Sequence, residues 1–343
     1  MNSKTFGIDI GATSMKAVWL AKEKTTISLV SCLAATTPEK GMLSESLIDQ
    51  EAMAQVIQKL VIDAKITAKI VHVALPDNQV FTKVITMPDL SEKELSSAIY
   101  WEAEQYIPAA LSTVTLDYKV LRRYETATSE KKMQVLLVAA KTTLIKKYQG
   151  IFSLVGLTVA SVETEIIATV RGIVSSEQSP TSFVIHIGSL NTSLAIVQQG
   201  IVIFTYSIPL GGMAMNRAIA ADFGFSLSQA EEYKKTYGLT DASLGGKIGK
   251  AIQPILFSLL TEVKKALTYY SENFKTQGPV SQILLSGGSA KLPGIDLFFV
   301  QNSGIETVIA NPWKVHAIGK VPPDLLSNPA QFTVAIGLAL KGL

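Results

Sequence analysis

The chain has 343 residues, 48% of them apolar and only 17% charged, and 31 basic residues against 28 acidic ones leave a net charge of +3. That length suits about two domains with their own cores; the composition excludes a disordered chain, and the near-balanced charge speaks against a nucleic-acid-binding arm. One cysteine and three scattered histidines exclude an internal disulfide and make a structural zinc site a poor reading.

Mean hydropathy is +0.30, which raises the question of a membrane. The longest apolar stretches, residues 251–260 and 292–300, are interrupted by proline and polar residues. Both fall short of the roughly 18–20 residues of a spanning helix. Asn2-Ser3-Lys4 runs straight into a strand, so no signal peptide is expected. The apolar excess is expected in sheets covered on both faces.

In chain order, residues 6–9 read as an apolar strand, Gly11-Ala12-Thr13-Ser14 as a turn, and 15–22 and 26–34 as two further strands. Residues 51–64 have helical spacing, with Met53, Val56, Ile57, Leu60 and Val61 on one face. Residues 70–75 are a buried strand closed by Pro76. Residues 89–107 read as a helix with a Ser91/Glu94 capping box, an apolar face of Leu95, Ile99, Ala103 and Tyr106, and a stop at Pro108. Strands at 116–124 and 133–140 flank a polar hairpin tip at 126–132. A helix at 141–150, a connector at 157–162 and a helix at 166–173 follow. The Ser/Pro-rich stretch 175–181 reads as the domain boundary.

The second half starts like the first. An apolar strand at 182–187 meets the turn Gly188-Ser189-Leu190-Asn191-Thr192, with strands at 193–197 and 201–209. Helices are expected at 213–223, 228–237 and 247–274, and a strand at 282–285 runs into Ser286-Gly287-Gly288-Ser289-Ala290. The weak repeat of an apolar strand, a glycine turn with hydroxyls and a return strand suggests two domains of one ancestry.

Three glycine-bearing turns thus follow apolar strands. Glycine lets backbone N–H groups approach a phosphate with no Cβ in the way. Thr13, Ser14, Ser189 and Thr192 carry hydroxyls that donate to phosphate oxygens, and Lys16 adds a point charge. Asp9, at a strand end, suits a Mg²⁺ held through water. Each turn alone is equally an ordinary hairpin. The P-loop spacing and Gly-x-Gly-x-x-Gly are both absent from the sequence.

The order of the motifs resembles the actin, heat-shock chaperone and sugar-kinase superfamily, with residues 7–20 similar to its first phosphate motif, 185–197 to its second and 283–294 to its adenosine motif. Within it the chain resembles the PilM family of type IV pilus assembly proteins, akin to the division protein FtsA. The closer match lies in Met87-Pro88-Asp89-Leu90-Ser91-Glu92-Lys93-Glu94-Leu95, Trp101-Glu102-Ala103-Glu104-Gln105-Tyr106-Ile107-Pro108, Ala230-Glu231-Glu232-Tyr233-Lys234 and residues 329–343. The resemblance implies an α/β, actin-like ATPase fold of two related βββαβα domains with a small α+β insertion in the first. Residues 1–180 would form the first domain, with the insertion at about 82–158. Residues 181–343 would form the second, with a helical subdomain at about 211–278.

It also implies ATP and Mg²⁺ between the domains. Asp9, Gly11, Ala12, Thr13, Ser14 and Lys16 would face the phosphates from one side, and Gly188, Ser189, Asn191 and Thr192 from the other. Gly211, Gly212, Asn216, Glu231 and Lys234 would meet the ribose or base, and Gly287, Gly288 and Ser289 the adenosine. Asp9 would serve the metal through water. Where the superfamily's second motif begins with Asp, this chain has His186. Neutral imidazole removes a negative charge from the cation's surroundings, so binding is expected with slow hydrolysis or none. A structural cap for a buried strand is the other reading of His186. Asp9, Glu163, Glu165 and His186 are the catalytic candidates; Glu163 or Glu165 would position a water, or serve only as a helix-start acid.

The insertion helix is either a solvated amphipathic helix or, as the resemblance implies, a partner-facing element carrying Trp101, Glu102, Glu104, Gln105 and Tyr106. Its partner would be the N-terminal cytoplasmic peptide of a PilN-like single-pass membrane protein, with pilus ATPases or self-association as further options. The expected function is a cytoplasmic nucleotide-binding scaffold, peripheral at the inner membrane through that partner. Alternatives are a small-molecule kinase, which needs a general base not found here, or an FtsA-like filament protein, whose basic amphipathic tail is not read here.

Overall fold

The computed structural model of the chain describes residues 3–126, 128–174, 179–240, 246–274 and 278–343. The first half opens with β1 (Thr5–Ile10), β2 (Ser14–Glu23), β3 (Thr26–Thr36), α1 (Leu47–Asp63) and β4 (Ile70–Leu75). An excursion follows through β5 (Val80–Pro88), α2 (Glu92–Glu104), β6 (Val114–Glu125) and β7 (Lys131–Lys141). The chain then returns with α3 (Thr142–Leu154), β8 (Thr158–Thr164) and α4 (Glu165–Ile173). The second half runs through β9 (Ser182–Ile187), β10 (Thr192–Gln198), β11 (Ile201–Ile208), α5 (Gly212–Phe223), α6 (Leu227–Tyr237), α7 (Lys247–Asn273) and β12 (Gln282–Ser286). It ends with α8 (Ile295–Ser303), β13 (Glu306–Ile309), α9 (Pro312–Val315), α10 (Pro323–Leu326) and α11 (Thr333–Leu340).

Two five-stranded sheets repeat one topology, in the orders β3-β2-β1-β4-β8 and β11-β10-β9-β12-β13. In each, three strands form an antiparallel meander and two more are added in parallel. Parallel neighbours need long crossovers, which the helices supply, and those helices cover the sheets. β1 and β9 are accordingly buried along nearly their whole length. Phe6, Ile8, Met53 and Tyr148 anchor one core, and Phe183, Ile185, Ile252 and Phe299 the other.

The excursion is a three-stranded antiparallel sheet, β5-β7-β6, closed by α2 through Leu95, Ile99 and Ala103 against Met133, Val135 and Leu137. The Ser91 hydroxyl accepts the Glu94 N–H at 3.4 Å, and Glu94 Oε2 accepts the Ser91 N–H at 2.9 Å. Such caps contribute about 1 kcal/mol. The helix starts at this cap, later than expected, because the Asp89 N–H donates to the Lys131 carbonyl instead.

Three stretches pack elsewhere than the sequence suggested. The segment 142–158, expected in the insertion, sends Leu144, Tyr148, Ile151, Phe152 and Leu157 into the first core, so the insertion sheet ends at Lys141. The connector expected at 157–162 is strand β8, parallel to β4. The chain after about residue 310, expected in the second domain, returns to the first sheet, where Trp313, Phe332, Ala335, Ile336 and Ala339 pack with Val18 and Leu20.

α11 crosses α4 closely at Gly337, where a Cβ would strike the Ala168 carbonyl, and at Gly172, where it would lie 2.5 Å from the Thr333 carbonyl. Arg171 donates to the Gly337 carbonyl at 2.9 Å. The expected boundary stretch at 175–181, the hairpin tip at 126–132 and the end of the helical subdomain near 278 each include positions outside the described residues. No helix among the described residues is long and apolar enough to cross a membrane.

Candidate functional site

The three glycine turns stand at the ends of β1, β9 and β12 and face one another across a single cleft of ≈ 650 Å³. The first two are built alike. The Gly11 N–H donates to the Ser14 carbonyl at 3.1 Å, and the Gly188 N–H donates to the Asn191 carbonyl at 3.0 Å. α5 buttresses the second turn, its Gly212 and Met213 N–H groups donating to the Gly188 and Ser189 carbonyls at 2.9 and 2.8 Å. The third turn bends at Gly287, whose φ is 90°; a Cβ there would collide with the Ile187 carbonyl.

Asp9, Gly11, Ala12, Thr13, Ser14 and Lys16 line one wall, and Gly188, Ser189 and Asn191 the wall opposite. Gly212, Asn216, Glu231 and Lys234 come from α5 and α6, and Gly287, Gly288 and Ser289 close the end. Two of the expected binding residues do not line it. Thr192 is fully buried, its hydroxyl donating to the Leu210 carbonyl at 2.7 Å. Gly211 lies against the back of the second turn, where a Cβ would come 2.7 Å from the Gly188 carbonyl.

Of the four catalytic candidates, Asp9, Glu165 and His186 reach the cleft. Glu163 does not: Arg171 holds it through two bonds of 2.5 and 2.7 Å, and Lys341 through one of 3.1 Å. That clamp fastens β8 to α4 and the chain end, which disposes of Glu163 as a water-positioning acid.

Burial sets the charges. It lifts the Asp9 carboxyl above its usual range, and Lys16, 3.6 Å away, opposes the rise. Burial, then the neighbouring Asp77 and Asp9 carboxylates, drive Glu165 well above the ordinary range, against Lys16 and Asn191. His186 is pushed down to about 4 by burial and by Lys16, so it is neutral near pH 7. Its Nδ1 lies 3.0 Å from Ser286 Oγ and 3.3 Å from Thr169 Oγ1. Ser286 Oγ is in turn 2.6 Å from Thr333 Oγ1, whose hydroxyl donates to the Ala330 carbonyl at 3.1 Å.

Farther along, Lys234 donates to Glu231 Oε2 at 2.6 Å and to the Gly212 carbonyl at 3.3 Å, and Asn216 Nδ2 donates to Glu231 Oε2 at 2.6 Å. Burial lifts the Glu231 carboxyl, but Lys234, Lys235 and Asn216 together carry it down to about 2. Asn216 Oδ1 is buried with no partner. An orphaned acceptor on the cleft wall, with glycine backbones that leave no room for side chains, fits a polyol phosphate ligand.

Sequence reasoning missed Lys291, Ser327, Asn328 and Gln331 on the cleft wall. The last three sit in the returning segment before α11, and only the Asn328-Pro329 break hinted at a turn there.

Two sheets of one topology with a polar cleft between their turns define an actin-like ATPase fold. MreB5 of Spiroplasma citri, solved bound to ADP, shares it with a TM-score of 0.54 at 16% identity over 98% of this chain and 95% of that one. A PilM-PilN type IV pilus biogenesis complex superposes with a TM-score of 0.84 at 27% identity, covering 99% of this chain and 98% of that one. Ethanolamine utilization protein EutJ of Escherichia coli (strain K12) is 28% identical over 116 residues, 34% of this chain and 36% of its own length, so the chain spans about a third of that relative. The family described as type IV pilus assembly protein PilM matches residues 7–343. The chain belongs to that family.

Proposed function

We propose that the chain is a nucleotide-binding scaffold of the type IV pilus assembly platform that binds ATP with Mg²⁺ in this cleft and hydrolyses it slowly or not at all. The convergence of glycine turns from both halves on one polar cleft carries the reading. The backbone N–H groups of the first two turns, with Thr13, Ser14, Lys16 and Ser189, would hold the phosphates. Asn216, Glu231 and Lys234 would meet the sugar, and Gly287, Gly288 and Ser289 the adenosine. Mg²⁺, held through water by Asp9, would supply charge neutralisation on the phosphates. Neutral His186 would leave one acid fewer around that cation.

The second element is a partner surface on α2. Trp101 is 75% exposed, beside exposed Glu104 and Gln105 and half-buried Glu102 and Tyr106. An exposed indole on a rigid helix suits anchoring of a partner segment. We assign this surface to the N-terminal peptide of a PilN-like membrane protein, bound in extended form; the similar PilM-PilN complex supports the assignment. Through that partner the chain would sit at the cytoplasmic face of the inner membrane. Calorimetry with ATP-Mg²⁺ and with that peptide tests both elements. One site for each ligand is expected, and folded protein that binds neither would overturn the reading.

A further inference from the structure

His186 stands one residue from the end of β9, with its imidazole held from behind by hydroxyls that end β12, start α11 and line α4. The direction of those bonds can be worked out, because each hydroxyl has one proton to give. The Thr333 proton goes to the Ala330 carbonyl at 3.1 Å. The 2.6 Å gap between Ser286 Oγ and Thr333 Oγ1 is then filled by the Ser286 proton. That leaves the 3.0 Å gap between Ser286 Oγ and His186 to a proton on Nδ1, which Thr169 Oγ1 shares at 3.3 Å. The reverse order would set Thr333 Oγ1 and the Ala330 oxygen against each other with no proton between them. The ring is neutral near pH 7, so the relay fixes one tautomer: Nδ1 carries the proton and Nε2 a lone pair.

Among the described residues Nε2 has no hydrogen-bond partner, yet it is not one of the orphaned side-chain atoms sealed from solvent. It therefore opens onto the cleft that His186 lines. The Lys16 ammonium does not serve it; that group lies 3.6 Å from the Asp9 carboxylate and 3.5 Å from the Ser14 carbonyl, to which it donates. A phosphate oxygen would meet Nε2 lone pair against lone pair. What Nε2 can hold is a donor or a cation, and a triphosphate in this cleft would bring a divalent cation with it.

Ligand chemistry selects the ion. Mg²⁺ takes oxygen ligands and gives up its waters reluctantly, whereas imidazole nitrogen suits first-row transition ions better. A histidine that ligates a metal almost always donates its other ring N–H to a fixed acceptor, which sets the tautomer. The relay through Ser286 and Thr333 to the Ala330 carbonyl is such an acceptor. Building on the nucleotide reading of the cleft, we propose that His186 Nε2 ligates the cation of the bound nucleotide and shifts the preference of the cleft from Mg²⁺ toward a first-row transition ion such as Mn²⁺. Ser286 is the positioning residue, acting only through the ring.

The test loads the full chain with Mn²⁺ and the β,γ-methylene analogue of ATP, and reads nitrogen coupling to the ion by pulsed electron paramagnetic resonance. A ligating imidazole is expected to give a coupling that changes when the histidine ring nitrogens are exchanged for the heavier isotope. Of the three histidines only His186 lines the cleft, so this readout needs no variant. In calorimetry the preference for Mn²⁺ over Mg²⁺ with the same nucleotide should fall about tenfold or more in His186→Asp. It should also fall about tenfold in Ser286→Ala, which keeps the ring but frees its tautomer. Nucleotide bound with either ion but without histidine nitrogen coupling, or an unchanged preference in His186→Asp, would overturn the proposal and leave the proposed function standing. An unchanged preference in Ser286→Ala would overturn its positioning role. Nucleotide bound with neither ion would overturn both readings together.

Discussion

On the first sheet Asp9 of β1 sits opposite Lys16 of β2; on the second the equivalent pair is His186 of β9 opposite Ser193 of β10. Two residues further on, Gly11 and Gly188 close the same hydrogen-bonded turn. The backbone is duplicated and the charge is not. At this paired position the first half sets an acid beside a lysine, and the second sets a neutral imidazole anchored to hydroxyls. Phosphate cradling needs only the duplicated backbone N–H groups, whereas ordering a metal-bound water draws on carboxylate charge. On the proposed reading, that difference would separate binding from turnover.

The comparison presumes that the halves stay in register, and the α4–α11 crossing is one of the contacts that join them, beside the packing of α4 on the second sheet. Gly337→Ala drives a methyl into the Ala168 carbonyl and is expected to cost at least about 4 kcal/mol in urea denaturation; a loss under 1 kcal/mol would show that the joint is loose. Next comes the charged half. Lys16→Met strands the buried Asp9 carboxylate, lowering stability by about 3 kcal/mol and weakening ATP-Mg²⁺ in calorimetry.

The neutral half shows itself in pH. Folded His186 titrates at about 4, whereas an unfolded histidine titrates near 6.5. As pH falls below the latter, the unfolded chain takes up a proton that the folded one refuses, so stability is lost until the pH passes the folded value. Relative to His186→Gln, the parent should lose roughly 2 kcal/mol between pH 7 and pH 5. Denaturation curves that move together across that range would contradict a buried neutral imidazole. The smallest effect on folding is expected for Trp101→Ala, within about 0.5 kcal/mol of the parent, while peptide affinity falls about tenfold or more.

How far the sequence could be read depended on whether a residue's neighbours were local. The Ser91/Glu94 cap and the glycine turns are local patterns, and the structure has them at the expected positions. The return of α11 was illegible because seven of its eight residues are buried; a helix apolar all round shows no face to say which sheet it joins. β8 passed for a connector because an edge strand with few buried residues has a weak pattern. Glu165 read as a water-positioning or a helix-start acid, and Asp77 carried no signal at all; only packing around the first turn of α4 made them a buried pair. Glu163, two residues before Glu165, was taken by Arg171 and Lys341, the latter 178 positions away.

The central claim, a cleft that binds through both halves but has no acid at the second half's equivalent of Asp9, is tested most directly by steady-state ATP turnover of the parent beside His186→Asp. The account predicts parent turnover at or below about one per minute and a faster variant. Parent turnover well above that rate, or a variant no faster than the parent, would contradict it.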